Sequence, residues 1–205
     1  MCATSENYVK ALHGSFKEAE NRMLRLPGCN QETFEHFLYW ACNNNLPNFE
    51  AEVDAEIDAA TNDEEKVTAA VTARGYQLRL AKLWTFGNAY VLPKLQNVAT
   101  RALGSIFPFS KTAPEAIRHA FAKSAEDSVL RKAFARETAS DCLCKRFLAE
   151  EMEIIGAIPG VFAAIMDVVV KCQRVHPAKY AHTPECSRSG RGDCGGFLVP
   201  EEGDE

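Results

Sequence analysis

"YQLRLAKLWTFGNAYVLPKLQNVATRALGSI", residues 76–106, is the stretch that decides the fold class of this chain. Its first half places apolar or small residues on one helical stripe, at Leu80, Leu83, Trp84 and Gly87. Its second half repeats the helical period at Leu95, Ala99, Ala102, Leu103 and Ile106. A Leu-Pro break separates the two halves. The stretch therefore predicts two successive helices.

The preceding residues predict two helices and one short strand. Residues 6–20 have helical spacing, and residues 22–26, "RMLRL", form a short strand that ends at a Pro-Gly turn. Asn30 is placed as the N-cap of a further helix, "QETFEHFLYWA". This helix has an apolar face of Phe34, Phe37, Leu38 and Ala41.

Further helices are predicted after residue 106. Pro114 is suited to the first turn of one helix, and Asp127 or Ser128 to the cap of the next. The apolar run that follows is divided near Pro159. The predicted fold class is therefore mainly α, with one strand as an α+β remnant. Residues 173–205 are predicted to form a flexible tail that contains Cys and His.

Acidic residues are concentrated between the predicted helices. Residues 50–65 hold eight acids and no base, so the net charge of −5 leaves the remainder at +3. That distribution gives no basic field for nucleic acid. Residues 49–58 alternate apolar and acidic residues, yet Ala, Glu and Asp are poor strand formers. We expect a solvated acidic linker, with an edge strand or an acidic docking peptide as the alternatives.

No targeting or membrane segment is predicted. The first twelve residues lack the basic start and apolar core of a signal peptide. The apolar run at residues 154–170 is interrupted by Pro159, two glycines and Asp167, which favours a buried helix. The eight cysteines are scattered through a long chain, as expected for reduced thiols in the cytoplasm or nucleus.

No sequence motif predicts an enzyme. There is no Gly-rich phosphate loop, Walker lysine or Gly-x-Ser-x-Gly elbow. Cys29 and His36 could pair as nucleophile and base, but nothing in their spacing orients them. The single histidines on the helices, His13, His36 and His119, are expected to be packing or surface residues.

A Cys/His cluster near the end of the chain resembles a set of zinc ligands. Cys172, His176, His182 and Cys186 form two pairs with the spacing Cys-x-x-x-His and His-x-x-x-Cys, and Cys194 follows. No close pair of cysteines anchors the cluster. A zinc-stabilised helical regulatory protein is therefore the alternative function, and no other cofactor is predicted.

The helix after Asn30 carries four aromatic residues, Phe34, Phe37, Tyr39 and Trp40. We interpret them first as a core stripe. A partner-binding surface is the second interpretation, because one helical face rarely buries four aromatics. Either Tyr39 or Trp40 would then point outward.

The order of these motifs resembles the middle of a BTB/POZ domain of the kind abundant in filamentous fungi. The resemblance begins with a serine-led helix and a Gly-x-Phe-x-Glu stretch, at Ser5, Tyr8, Gly14, Phe16 and Glu18. It continues through a strand ending in Leu-Pro and a Phe-x-x-Phe-Leu-x-Trp helix that closes on Leu46 and Pro47. Residues 78–103 resemble the helix pair that follows in that family, and residues 113–136 resemble its helical extension.

The resemblance implies three parts and a function. Residues 1–107 would be a BTB/POZ-like domain with an acidic insertion at 48–75, residues 108–172 a helical extension, and 173–205 the tail. The family's first strands and most of its first helix have no counterpart, so we expect a truncated domain in which the family's homodimer is doubtful. The family implies a non-enzymatic protein-interaction module, either a ubiquitin-ligase substrate adaptor or a self-association domain. Cullin docking would use residues 32–47, including Leu46, and the start of the Tyr76 helix.

Overall fold

The computed structural model describes Leu26 and residues 29–175, with side chains as far as Lys171. These residues form eight α-helices and one 3₁₀ turn, and no strand occurs among them. The helices are α1 Gln31–Asn43, α2 Phe49–Ala59, α3 Asp63–Ala89, α4 Pro93–Ile106, α5 Pro114–Lys123, α6 Val129–Leu143, α7 Ala149–Gly156 and α8 Val161–Val175. The 3₁₀ turn is Phe107–Phe109. The mainly α fold class is confirmed; the first predicted helix, and all of the predicted strand except Leu26, lie outside the described residues.

Helix α3 is the central element. It packs most extensively against α4, to which a three-residue connection joins it, and it also contacts α1, α2 and α5. Leu80, Leu83 and Trp84, predicted as one stripe, are 1–3% exposed. Leu95, Leu103 and Ile106 of α4 are fully buried. The predicted pair of packed helices therefore forms the centre of the core.

Helix starts follow the caps that the sequence predicts. The Asn30 side chain accepts a hydrogen bond from the Thr33 amide at 2.9 Å, and α1 begins after it. Ser128 accepts a bond from the Arg131 amide at 3.2 Å and caps α6. Pro114 occupies the first turn of α5. Backbone N–H groups there have no acceptor within the helix, so the proline's lack of an N–H removes no hydrogen bond.

The linker prediction for residues 49–58 is wrong. Asn48 accepts a hydrogen bond from the Ala51 amide at 3.1 Å and starts α2. Phe49, Val53 and Ile57 recur at every fourth position and pack into the core. The same residues also satisfy the alternating pattern, so alternation alone could not distinguish a strand from a helix. The acids between them remain on the solvent side.

Helix α3 also begins earlier than the sequence predicts. Asn62 accepts a hydrogen bond from the Glu65 amide at 2.9 Å, so the helix starts at Asp63 rather than Tyr76. Three acids in its first turn interact favourably with the positive end of the helix dipole. The predicted acidic insertion is therefore helical over most of its length.

The connection between α4 and α5 is held by two buried polar side chains. Gln77 donates to the Ser110 hydroxyl at 3.0 Å and accepts from the Ala113 amide at 2.8 Å. Asp141 accepts from the Thr112 amide at 2.7 Å. These bonds satisfy backbone groups that are buried outside any helix. A single hydrophobic core contains residues from both sides of the domain boundary predicted between residues 107 and 108.

Candidate functional site

Helix α1 divides into a buried face and an outer face. Phe37 and Trp40 are 4% and 6% exposed, and the Phe37 ring centroid lies 5.1 Å from that of Phe86 in α3. Phe34 is 36% exposed, and Leu38 and Tyr39 are each 45% exposed. We call Phe34, Leu38 and Tyr39 the α1 outer face. The four aromatics therefore serve both the core and the surface.

This placement changes the list of predicted partner-binding residues. Phe37, Trp40 and Leu46 are at most 6% exposed, so packing against the core occupies them and they cannot form a partner surface. Phe34 and Tyr39 remain available to a partner. Leu38 is exposed beside them, although the sequence assigns it to the apolar face. The core contacts only part of that face, so Leu38 stays on the surface.

A cleft lies between the α1–α2 connection and α4. It encloses about 350 Å³. The connection contributes Asn45, Leu46, Pro47, Asn48, Phe49 and Glu50 to its walls. Helix α4 contributes Val98, Arg101, Ala102 and Ser105. Among its lining residues Leu46 and Phe49 are buried, whereas the polar ones Asn45, Asn48, Glu50 and Arg101 are exposed.

The polar groups of this cleft are mostly hydrogen-bond donors. The Asn45 side-chain oxygen accepts from the Leu46 amide at 2.9 Å, and that of Asn48 is used in the α2 cap. Their NH₂ groups form no hydrogen bond with any described residue. The exposed Arg101 guanidinium likewise has no partner within residues 29–171. The sequence does not predict this site, because Glu50 and Val98, the nearest residues of its two walls, are 48 positions apart in the chain.

Cys29 and His36 do not form the nucleophile–base pair considered from the sequence. The Nδ1 atom of His36 lies 2.7 Å from the Glu32 carbonyl oxygen, and its ring packs near Phe49 with centroids 5.4 Å apart. The Cys29 thiol makes a weak contact with the Asn30 carbonyl at 3.5 Å. Burial raises the pKa of Cys29, which disfavours its thiolate.

His119 links two helices. Its Nε2 atom lies 2.9 Å from the hydroxyl of Thr85, so α5 is joined to α3 at this point. Burial, with the charges of Lys82 and Lys123, lowers the pKa of His119. The neutral imidazole is therefore favoured, as expected for a packing residue rather than a surface cation.

The predicted zinc ligands stay a prediction. Cys172 lies in the last turns of α8, where only the backbone is described, and His176, His182 and Cys186 lie outside the described residues. Within the described part of the chain, no three His, Cys, Asp or Glu side chains are grouped closely enough to hold a metal ion.

A second exposed apolar face lies on α8. Phe162 is 71% exposed, and Met166 and Val170, spaced four residues apart on the same side, are 43% and 40% exposed. The opposite side of α8 packs against α6. By length and composition, no single described helix could cross a membrane; α7 and α8 pass only as a pair, which is bent by 102°.

No protein-family model, curated protein or solved structure matches this chain.

Proposed function

We propose that this protein is a non-enzymatic protein-interaction module of the BTB/POZ type. The observation that supports it best is the α1 outer face, which exposes Phe34, Leu38 and Tyr39 on a helix whose other side is fully packed. Phe34 and Leu38 are four residues apart and therefore adjoin each other on the helix surface, and adjoining exposed apolar side chains on a folded domain are typical of partner-binding surfaces. The helix carries the Phe-x-x-Phe-Leu-x-Trp motif on which the resemblance depends.

The order of the helices agrees with this proposal. The motif helix α1 closes on Leu46 and Pro47, the pair α3 and α4 follows, and α5 to α8 correspond to the helical extension. The counterpart of the family's cullin-docking region, residues 32–47, includes the α1 outer face. A cullin is therefore the first partner to test, and a role as a ubiquitin-ligase substrate adaptor follows from it.

The acidic side of α2 would influence which partner binds. It follows α1 directly and presents Glu50, Asp54 and Asp58 to solvent on one helical side. A basic surface beside the apolar contact would be attracted to these carboxylates, whereas an acidic surface would be repelled. We expect binding through α1 to weaken as the salt concentration rises, because salt screens exposed charges.

The test is a pull-down with a purified cullin. Leu38→Glu places a charge in the middle of the α1 outer face and should abolish binding. Val67→Glu is the matched control, since Val67 is 63% exposed on α3 and lies 12 positions before Arg79, the α3 residue that pairs with Glu32 of α1. We expect Val67→Glu to bind like the unaltered protein. Absence of cullin binding by the unaltered protein would exclude the adaptor role, and equal binding by both variants would exclude the α1 outer face.

Self-association is the other form that the interaction could take. The α8 face of Phe162, Met166 and Val170 offers a second apolar surface. Sedimentation velocity should then show a concentration-dependent dimer that Met166→Glu abolishes and Val67→Glu preserves. A monomer at all concentrations would leave cullin docking as the remaining form of the proposed function.

A further inference from the structure

The cleft between the α1–α2 connection and α4 has an unusual balance of polar groups. Asn45 and Asn48 each use the side-chain oxygen to accept a backbone N–H, at 2.9 and 3.1 Å. That geometry leaves both NH₂ groups, with two donors each, without an acceptor among the described residues. Arg101 adds a guanidinium without a partner among the described residues. These exposed groups can therefore all donate hydrogen bonds to a ligand that carries acceptors.

Arg101 restricts which acceptor would fit best. A guanidinium offers parallel N–H groups that match the two oxygens of a carboxylate. Glu50 is the one carboxylate in the walls of the cleft. Its side chain forms no hydrogen bond or ion pair with a described residue. It can accept an N–H from a bound ligand, although its charge opposes a bare anion. A ligand with both a carboxylate and an adjacent amide N–H would satisfy both groups.

The size of the cleft and its aliphatic residues further restrict which ligands would fit. About 350 Å³ lies near the lower end of the range for ligand clefts, roughly 300–1,000 Å³. Pro47, Val98 and Ala102 supply aliphatic surface that can contact a small apolar side chain. Arg101 and Glu50 are exposed, so the cleft is open to a ligand that continues into solvent.

We propose that this cleft binds the carboxylate end of a peptide chain. The terminal carboxylate pairs with Arg101, the amides of Asn45 and Asn48 donate to the same carboxylate or to the next peptide carbonyl, and Glu50 accepts a peptide N–H. A small aliphatic last side chain contacts Val98 and Ala102. The cleft shares residues 45–47 with the region 32–47 but includes none of Phe34, Leu38 and Tyr39, so the proposal does not rest on the proposed function.

The first test compares two peptides on the unaltered protein. ¹⁵N-labelled protein is titrated with N-acetyl-Ala-Ala-Val carrying a free carboxylate, and separately with the same peptide as its C-terminal amide. The acid should shift the side-chain signals of Asn45, Asn48 and Arg101, and it should bind about ten- to a hundredfold more tightly than the amide, the range expected for charged hydrogen bonds. Equal binding of the two peptides would overturn the proposal.

Acetate and three variants complete the test. Acetate should bind more weakly than the peptide acid, and equal affinity would overturn recognition of a chain end in favour of a free carboxylate. Arg101→Gln should remove the preference for the acid, whereas Lys94→Gln, an equal change in charge at an exposed position of the same helix, should retain it. Glu50→Gln should bind the acid up to about fivefold more tightly, because one repulsive charge is lost. An unchanged acid preference in Arg101→Gln would overturn the assignment.

Discussion

The Nη2 atom of Arg74 lies 3.0 Å from Oε1 of Glu151, a residue 77 positions later in the chain. The other carboxylate oxygen of Glu151 contacts the Lys111 ammonium and accepts the Leu148 amide at 3.0 Å. Only 16% of the Glu151 side chain is exposed. This one carboxylate therefore joins α7 to α3 and to the connection before α5.

Replacing Glu151 with Gln should destabilise the protein by about 2 kcal/mol, because two partly buried cations would lose their counter-charge. The free energy of unfolding is measured by urea denaturation. Glu150→Gln is the control, since Glu150 is exposed and unpaired among the described residues, and we expect it to be neutral. Equal stabilities of the two variants would show that the contacts of Glu151 contribute little.

Acid should remove the same contribution. Burial raises the pKa of Glu151, but the hydrogen bond and charge of Lys111, with the Leu148 amide and Arg74, outweigh it and hold that pKa below its ordinary value. A carboxyl whose pKa is lower in the folded state stabilises the fold fully above its unfolded pKa, about 4.3, and loses that effect as pH falls through the folded pKa. Between about pH 5 and pH 3, the unfolding free energy should therefore fall less steeply in Glu151→Gln than in the unaltered protein. If the unfolding free energies of the two proteins fell in parallel between these pH values, Glu151 would not have a lowered pKa in the folded state.

Two glycines of α3 should respond oppositely to alanine. A Cβ at Gly87 would lie 3.0 Å from Cγ of Gln96 and 3.4 Å from the Leu92 carbonyl oxygen, whereas a Cβ at Gly75 would meet nothing within 4 Å. Gly75→Ala should stabilise the protein by about 0.5–1 kcal/mol through helix propensity. Gly87→Ala should destabilise it by about 1–2 kcal/mol, because α4 must move away. Thermal unfolding of the two variants measures both changes in stability. If both alanine variants were more stable, α4 would be able to move away from α3 at little cost.

Val91 occupies an unfavourable backbone conformation. Its φ is +53° and its side chain is 80% exposed, in the connection between α3 and α4. A β-branched residue is disfavoured there and little packing compensates, so Val91→Gly should stabilise the protein by about 0.5–1 kcal/mol. Val71→Gly is the same change inside α3 at a position 59% exposed, and it should destabilise by about 0.5 kcal/mol. Destabilisation in both variants would argue that Val91 has contacts beyond the described residues.

Thr138 buries a hydroxyl that forms no hydrogen bond within the described structure. Its Oγ1 atom lacks a partner and the residue is fully buried in α6. Thr138→Val keeps the shape and removes the unsatisfied group, so we expect a gain of about 1 kcal/mol. Thr100→Val is the control, because the Thr100 hydroxyl donates to the Gln96 carbonyl oxygen at 2.9 Å. We expect no gain there, and urea denaturation of both variants makes the comparison.

The sequence predicts most of the described helices because their starts depend on local chemistry. Asn30, Ser128 and Pro114 act within three or four residues of themselves, and the structure confirms all three. The acidic segment was mispredicted because Phe49, Val53 and Ile57 fit both the strand period and the helix period. The segment is helical because these three side chains then pack together into the core.

The candidate sites follow a similar division. The aromatic content of α1 predicts a helix with more apolar side chains than the core can bury, but not which of them the core covers. That choice depends on Phe86 of α3, which contacts Phe37. The cleft depends still more on packing, since Asn48 and Arg101 become neighbours only when α2 and α4 meet. Contacts between distant segments have no local signal.

The length of α3 has a consequence for its local stability. Its 27 residues extend about 40 Å, and the buried positions crowd toward its second half. Val67 and Val71, near its start, remain more than half exposed, whereas Leu80 and Trp84 are enclosed on all sides. We therefore expect amide hydrogens at the two ends of this helix to exchange with water by different routes, by local fraying near Asp63 and by global unfolding near Leu80. The first turns of α3 should therefore fray without disturbing the core, whereas α2 is held to it by the buried side chains of Phe49 and Val53.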